Sequence, residues 1–167
     1  MIRILVSACL LGEPVRHDGS NKLTNHSQLR AWQQEGRLVP VCPEVAAGLP
    51  IPRAAAEIVD GGGHEVLLGL AEVRSGAGVT LTTQFVRGAN HALDLATSRD
   101  VELAILTDKS PSCGSQKICD GNFSGTTHDG LGVTTALLEK NGIRVFSHDQ
   151  IDAAALFLAK LDDDIHQ

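Results

Sequence analysis

The chain opens with an apolar run that ends in a cysteine, Ile2-Arg3-Ile4-Leu5-Val6-Ser7-Ala8-Cys9. Its length and its content of branched aliphatic residues predict a β-strand over 2–9. Two later apolar runs also lead to a cysteine: Cys42 comes directly after Leu38–Val41, and Cys113 lies in a loop after Leu103–Leu106. In an open α/β sheet, the loops beyond the carboxyl ends of parallel strands form one rim, where ligands bind. We therefore expect cysteines that are far apart in sequence to meet at one site.

Strand-like and helical segments alternate along the rest of the chain. Strands are predicted over 38–42, 102–107 and 143–147, and helices over 26–34, 80–98, 131–141 and 149–161. This order is typical of an α/β protein with a parallel sheet and helices on both faces. Three segments are less regular: an irregular stretch over 43–63, a short strand or hairpin at the sheet edge over 66–74, and a long loop over 108–130. A structureless loop of that length is usually functional.

The composition limits the classes of function. The chain has 167 residues, of which 43% are hydrophobic, and its formal net charge is −6 at pH 7. This size suits one domain with a proper core, and the negative charge argues against a long nucleic acid as partner but not against a small anionic ligand. The first residues lack the features of a signal peptide, and no apolar run is long enough to span a membrane. We expect a cytoplasmic protein, in which thiols stay reduced and cysteines serve metal binding or catalysis.

The cysteines allow more than one interpretation. Their spacing matches no local metal motif such as Cys-x-x-Cys, and free cysteines are often simply small buried apolar residues. Three thiolates at one rim, with no nearby fourth ligand, fit an iron–sulfur cluster with one open iron better than a closed structural site. Cys119, six residues after Cys113, could be a fourth ligand, a redox partner of Cys113 or neither.

Glu44 is a candidate acid or base. Pro43 ends the second predicted strand, so Glu44 lies at the rim, where a partly desolvated carboxylate can exchange protons with a substrate. The alternative is a glutamate that merely favours the first turn of a short helix.

The loop around Cys113 and three basic residues supply further candidates. Ser110 and Ser112 offer hydroxyl groups, although Ser-Pro turn chemistry also explains them. The Gly-rich segment 121–127 could hold an anion with its backbone N–H groups. Cations in other predicted rim loops are Arg16, Lys22 and Arg53.

Six short segments, in order along nearly the whole chain, resemble the DUF523 family, which includes the thiouracil desulfidases. They are Ser7–Gly12, Val15–Gly19, Val41–Glu44, Leu49–Arg53, Lys109–Gly114 and Asp120–Gly125. Each segment is weak evidence by itself, but the combination is specific. Many relatives are expected to carry a tyrosine in place of Cys119, which argues against Cys119 as a family ligand.

This resemblance implies a Rossmann-like α/β fold that forms a single domain over 1–167 and carries a [4Fe–4S] cluster. By motif, Cys9, Cys42 and Cys113 would hold the cluster and leave one iron open for the thiocarbonyl sulfur of the substrate. Glu44 would activate water, and Ser110 would relay a proton to a ring nitrogen. The products would be the uracil compound and hydrogen sulfide, without net redox change.

The substrate implied by the resemblance is a thiolated pyrimidine such as 2- or 4-thiouracil, or its nucleotide 4-thiouridine monophosphate. The remaining candidate binding residues are Arg16, Lys22 and Arg53, for a phosphate, and Ser112, Gly114 and Asn122, for the pyrimidine. Two alternatives are a non-catalytic iron–sulfur or thiol redox sensor and a zinc module that uses all four cysteines. The sequence leaves monomer and dimer open.

Overall fold

Eight strands and six helices follow one another in the computed structural model, which describes residues 1–167. The strands are β1 (Arg3–Ser7), β2 (Leu38–Val41), β3 (Ala56–Val59), β4 (Glu72–Ser75), β5 (Val101–Leu106), β6 (Lys117–Cys119), β7 (Thr127–Asp129) and β8 (Arg144–Ser147). The helices are α1 (Ser27–Gln34), α2 (Pro43–Ala46), α3 (Gly63–Leu67), α4 (Thr82–Ser98), α5 (Val133–Lys140) and α6 (Ile151–Ile165). A turn of 3-10 helix over Ala8–Leu11 follows β1 directly.

Four parallel strands form the central sheet, in the order β2-β1-β5-β8. Ile4 of β1 is paired with Leu38 of β2 on one side and with Leu103 of β5 on the other. The chain leaves β1 through α1 to β2, and it returns through α4 to β5 on the opposite side of β1. The direction of winding therefore reverses between β1 and β5, which is the place where open α/β sheets bind their ligands.

Successive residues of the central strands face two different hydrophobic cores. Ile4 and Val6 of β1 pack in a core with Trp32 of α1 and with residues of α6. Leu5, between them, packs in a second core with Ala92 of α4 and residues of α5. Because both faces of the sheet are covered by helices, its strands are apolar at most positions, including both faces of β1 and β5. The predicted α/β architecture is confirmed.

A third core lies under two short antiparallel sheets. In these sheets β3 pairs with β4, placing Ile58 opposite Val73, and β6 pairs with β7, placing Ile118 opposite His128. The three aliphatic residues pack with Phe85 in the first half of α4. With 17 residues, α4 is about 26 Å long and reaches both this core and the core of the central sheet. No helix of the structure combines the length and the apolar character needed to cross a membrane.

The structure corrects the predicted elements outside the central sheet. The strands and helices predicted for that sheet are confirmed, with ends that differ by a few residues. The strand expected over 66–70 is wrong, because Val66 and Leu67 form the end of α3 and residues 68–70 are a turn; a short apolar run fits a helical turn as well as a strand. The strand expected over 71–74 exists as β4, but it pairs with β3 in a separate sheet rather than at the main sheet edge. The segments 43–63 and 108–130 are not irregular throughout, since they contain α2 and β3 and the β6–β7 pair.

Candidate active site

A cleft of about 270 Å³ opens at the carboxyl ends of β1, β2 and β5. All four cysteines of the chain line it, and none of them forms a disulfide. The volume is just below the range of about 300–1,000 Å³ that is typical of small-molecule pockets. The cleft therefore occupies the position, where the winding reverses, at which this class of fold binds ligands.

Cys9 lies at the reversal point itself, in the turn after β1. Its Sγ lies 2.9 Å from Oγ1 of Thr107, the residue that follows β5. The backbone N–H of Thr107 in turn donates a 3.0 Å hydrogen bond to Oγ of Ser7. These buried contacts connect the ends of β1 and β5 and fix the Cys9 thiol between them.

Cys42 and Glu44 are positioned by an abrupt change from strand to helix. Cys42 follows β2, and Pro43 is the first residue of α2, where its missing N–H leaves no hydrogen bond unmade. The helix packs closely on α4 at Gly88, since a Cβ at that position would collide with the Pro43 carbonyl group. Both side chains line the cleft, and burial raises the pKa of the Cys42 thiol.

Arg53 is the ion-pair partner of Glu44. Its Nη2 donates a 2.9 Å hydrogen bond to the Val15 carbonyl and lies 3.4 Å from Glu44 Oε2, while Nη1 donates to the Pro50 carbonyl at 3.2 Å. The Arg53 side chain is 7% exposed and that of Glu44 is 19% exposed, so solvent screens the pair weakly. Burial raises the pKa of Glu44, and the Arg53 guanidinium offsets only part of this effect. A carboxyl group with a raised pKa is suited to proton transfer near neutral pH.

The loop that carries Cys113 is docked on the N-terminus of α5. The carbonyl groups of residues 111–114 accept hydrogen bonds from Gly132 and from the first residues of the helix, including a 3.0 Å bond from the Thr135 hydroxyl to the Cys113 carbonyl. The first N–H groups of a helix have no partner within the helix, so the loop satisfies them. A Cβ on Gly132 would lie 2.8 Å from the Cys113 nitrogen, so this approach requires a glycine.

Ser110 and Asp108 fix the same loop from within. Ser110 Oγ accepts hydrogen bonds from the backbone N–H groups of Ser112 and Cys113, both at 3.1 Å. Asp108 Oδ1 accepts three more, at 3.0–3.2 Å, from the N–H groups of residues 115–117. Burial acts to raise the pKa of Asp108, but these backbone hydrogen bonds outweigh burial, and the pKa is lowered.

Cys9, Cys42 and Cys113 form a group from which Cys119 is separate. Burial, and then the neighbouring groups of Cys42 and Cys9, raise the pKa of Cys113 well above its usual value. Burial also raises the pKa of Cys119, but the charges that act on it are those of Glu57, Asp120 and Lys109, and no other cysteine is among them. Cys9, Cys42 and Cys113 come after strands of the central sheet, whereas Cys119 ends β6 in a separate small sheet, so the first three are the candidate ligands.

The arrangement of these thiols fits an iron–sulfur cluster. No group of three or more His, Cys, Asp or Glu side chains in the structure could hold a single metal ion. In a four-iron cluster each thiolate binds a separate iron, so three thiols that line one cleft fit such a group.

Three cations lie together at the cleft: Arg16, Lys22 and Lys109. None of them forms a salt bridge. Burial, and then the charges of Arg16 and Lys109, lower the pKa of Lys22, although Cys9 acts in the opposite direction. A group of unpaired cations that is partly removed from water favours a bound anion. Arg53, by contrast, is already engaged by Glu44 and by backbone carbonyl groups.

Three of the predicted substrate-binding residues do not line the cleft. Ser112 is buried, with its backbone carbonyl bonded to the N-terminus of α5. Gly114 is packed so closely that a Cβ would lie 2.5 Å from the Lys117 carbonyl oxygen. Asn122 lies in an exposed turn, where its N–H donates to Asp120. The structure places these residues in support of the site, and their contact with a substrate stays a prediction.

The cleft also contains residues that the sequence analysis did not single out. Thr107, Asp108 and Lys109 follow β5 directly, and this is the same signal by which the cysteines were found. His17 lies beside the predicted Arg16. Glu57 lines the cleft although its strand, β3, belongs to a separate small sheet, and no sequence motif marks it.

Fold and site together define an α/β protein with a cysteine-lined cleft at the winding reversal of its parallel sheet. A model of the 2-thiouracil desulfurase family matches residues 4–150. Uncharacterized protein YbbK of Bacillus subtilis (strain 168) is 39% identical over 149 residues, which cover 89% of this chain and 97% of that protein. The solved structure of the [4Fe–4S]-dependent thiouracil desulfidase TudS (DUF523Vcz) is similar with a TM-score of 0.87 and 45% identity, covering 95% of this chain and 99% of that one.

The chain belongs to the 2-thiouracil desulfurase family. This confirms the resemblance to DUF523 that the sequence motifs indicated, and with it the prediction of an enzyme that removes sulfur from thiouracil compounds. The cluster dependence stated for TudS supports the predicted [4Fe–4S] cofactor.

Proposed function

We propose that the protein is a [4Fe–4S]-dependent desulfidase acting on thiolated uracil compounds. The thiocarbonyl compound and water give the carbonyl compound and hydrogen sulfide, so no electrons are gained or lost. One observation carries this proposal: Cys9, Cys42 and Cys113, from three neighbouring strand ends, share a single cleft with Glu44 and Ser110. The protein works as a single domain over 1–167, in a reducing compartment such as the cytoplasm, where its thiols stay available.

Cys9, Cys42 and Cys113 are the proposed cluster ligands, and one iron is left without a protein ligand. The cluster, when bound, would supply a soft Lewis acid with an affinity for sulfur, which would increase the electrophilicity of the ring carbon. The Thr107 hydroxyl, 2.9 Å from Cys9 Sγ, is placed to donate a hydrogen bond to that thiolate. Hydrogen bonds to ligand sulfurs tune the electron density of such clusters.

Glu44 is the proposed base that removes a proton from the attacking water. Its pair with Arg53 holds the carboxylate at the cleft, and burial makes the carboxylate more basic than it would be in water. Arg53 is thereby assigned to the orientation of Glu44 rather than to a phosphate.

Ser110 is proposed to relay a proton: it donates its hydroxyl proton to a ring nitrogen beside the reacting carbon and regains a proton from solvent water. Its Oγ accepts two backbone hydrogen bonds, from Ser112 and Cys113, which occupy the oxygen lone pairs. The hydroxyl proton remains free to be donated.

A nucleotide such as 4-thiouridine monophosphate is the proposed substrate form. Arg16 and Lys22, with Lys109 beside them, form the unpaired cationic group to which a phosphate would bind. The net charge of −6 does not favour a long nucleic acid at this site.

The proposal is tested by sulfide release from 4-thiouridine monophosphate and from 2-thiouracil, after reconstitution of the cluster without oxygen. We expect turnover by the wild-type protein and a loss of about 10²–10⁴-fold in Glu44→Gln at unchanged iron content. Arg16→Ala should raise KM for the nucleotide and leave the free base unaffected. Sulfide release from neither compound by a protein with an intact cluster would overturn the proposal.

A further inference from the structure

Glu57 is a buried carboxylate of the cleft that the proposed reaction does not use. The residue is 8% exposed and lies on β3. Its Oε1 accepts hydrogen bonds from the backbone N–H groups of Gly121, at 2.9 Å, and Phe123, at 3.2 Å. Its Oε2 has no partner within the protein and is not sealed from solvent. The carboxylate is therefore held rigidly through one oxygen, while the other is open at the cleft.

Because Oε2 of Glu57 has no partner in the protein, it can accept a hydrogen bond from a bound molecule. Glu57 forms no salt bridge, so no cation of the protein neutralises it. A buried carboxylate is costly unless its oxygens are hydrogen-bonded, and an ionised carboxylate can only accept. Oε2 is therefore free to accept a hydrogen bond from an O–H or N–H group of a molecule that displaces solvent from the cleft.

Glu57 lies at the end of the cleft that Cys119 and Lys109 line. Gly121, whose N–H donates the 2.9 Å hydrogen bond to Glu57 Oε1, comes two residues after Cys119. Cys119 Sγ in turn lies 3.9 Å from the carbonyl oxygen of Lys109.

We propose that Glu57 Oε2 accepts hydrogen bonds from the sugar hydroxyl groups of a thiolated nucleotide, and that Glu57 thereby selects ribonucleotides. This inference rests on the proposed function and extends it to a specificity-determining residue. Vicinal hydroxyls supply adjacent donors, and acidic side chains bind them in other α/β nucleotide sites. Glu57 and Lys109 line the same cleft as the three cysteines, so a nucleotide whose base lies at the cysteines has Glu57 among the groups that can meet its ribose.

The substitution Glu57→Gln replaces Oε2 and keeps an oxygen at the position of Oε1. The amide oxygen of glutamine can still accept both backbone hydrogen bonds, whereas its nitrogen replaces Oε2 and can only donate. Asp120→Asn is the matched control, because it removes the same charge from the adjacent turn at a residue that does not line the cleft. Far-UV circular dichroism and Tm report whether each variant is folded.

The experiment measures the Kd of three ligands for the cluster-loaded protein by calorimetry: uridine 5′-monophosphate, its 2′,3′-dideoxy analogue and uracil. We expect the wild type and Asp120→Asn to bind the ribonucleotide roughly tenfold or more tightly than the dideoxy analogue. In Glu57→Gln this ratio should fall severalfold, because a neutral amide that can only donate to the sugar oxygens replaces a charge-assisted acceptor, with uracil binding unchanged.

Three results would overturn the inference: equal binding of both nucleotides by the wild type, an unchanged ratio in Glu57→Gln, or weakened uracil binding in that variant, which would indicate a contact to a ring N–H. Failure of the proposed function looks different. In that case no thiolated compound releases sulfide, whether or not the protein discriminates between the two nucleotides.

Discussion

The hydroxyl group of Ser110 has two roles: its oxygen shapes the cysteine loop, and its proton is available for the reaction. Its oxygen accepts the N–H groups of Ser112 and Cys113 at 3.1 Å, and this shapes the turn that carries Cys113. Its proton is left for the substrate. Substitutions at Ser110, measured for both turnover and stability, show whether its proton is needed for the reaction.

Ser110→Thr keeps the hydroxyl and should retain most of the turnover, whereas Ser110→Ala removes both roles. For Ser110→Ala we expect kcat to fall by about 10²-fold or more, because a positioned proton donor typically contributes that much. The free energy of unfolding should fall by roughly 1–3 kcal/mol, because two buried backbone donors lose their acceptor. Sulfide release and urea unfolding measure the two effects. Full turnover by Ser110→Ala would contradict the proposed proton transfer.

Asp108 makes the stability of the cysteine loop dependent on pH. Its folded-state pKa is lowered, so its ionised form contributes stability above the unfolded pKa of about 3.9, and this contribution is lost as the pH falls through the lower folded value. Asp108→Asn keeps an acceptor for the backbone N–H groups but cannot ionise. We expect the wild type to exceed this variant in stability at pH 7 and the difference to shrink toward pH 3, as measured by urea unfolding. A difference that is the same at both pH values would contradict this role.

At the scale of elements, the site depends on how closely loops approach helices. The Cys113 loop caps α5, and α2 packs on α4, in each case at a glycine: Gly132 and Gly88. These glycines allow backbone to meet backbone, and this contact positions Cys113 and Cys42. The ligand geometry is thus set by helix packing as much as by the strand ends.

Gly132→Ala should displace the Cys113 loop. A Cβ there would lie 2.8 Å from the Cys113 nitrogen, so the loop or the helix must move. We expect a loss of roughly 1–3 kcal/mol in unfolding free energy, as for other overpacked sites, together with reduced iron uptake. Gly76→Ala is the control, since its nearest neighbour is a ring carbon of Phe123 at an ordinary 3.6 Å. Equal iron content in the two variants would show that the loop does not depend on this contact.

The elements of the central sheet could be predicted from the sequence, and the small sheets could not. The residues of β1 and β5 are apolar at most positions because helices cover both faces, and that pattern is visible locally. The run at Val66 could not be assigned, because five apolar-rich residues fit a helical turn and a strand equally well. The three residues of β6 are strand only through their pairing with β7.

The same distinction holds for the site. Cys9, Cys42 and Cys113 could be placed at one cleft because strand ends share an edge, and residues 107–109 carried the same signal. The engagement of Arg53 by Glu44, and the exposure of one Glu57 oxygen, depend on contacts between distant segments. No regular spacing of residues along the sequence predicts such contacts.

At the scale of the whole molecule, three hydrophobic cores support the cleft. They contain 13, 12 and 8 buried residues, and among the proposed ligands only Cys9 and Cys113 belong to any of them. Most of the buried apolar surface is therefore independent of the cluster.

Removal of iron should leave the fold in place and lower its stability. Because the cluster binds the folded state, its loss should lower Tm by roughly 2–4 °C for each kcal/mol of binding free energy withdrawn. Far-UV circular dichroism should still show the α/β fold after chelation, with one cooperative thermal transition. Loss of cooperative unfolding in the iron-free protein would mean that the cluster, rather than the three cores, holds the chain together.

The binding of a catalytic cluster by Cys9, Cys42 and Cys113 is tested most directly in the four single Cys→Ser variants. Iron, acid-labile sulfide and sulfide release from 4-thiouridine monophosphate are measured in each variant after reconstitution without oxygen. We expect Cys119→Ser to match the wild type in cluster content and turnover, and the other three variants to lose turnover and most of the cluster. Loss of the cluster in Cys119→Ser, or full turnover in any of the other three, would contradict a three-cysteine catalytic cluster.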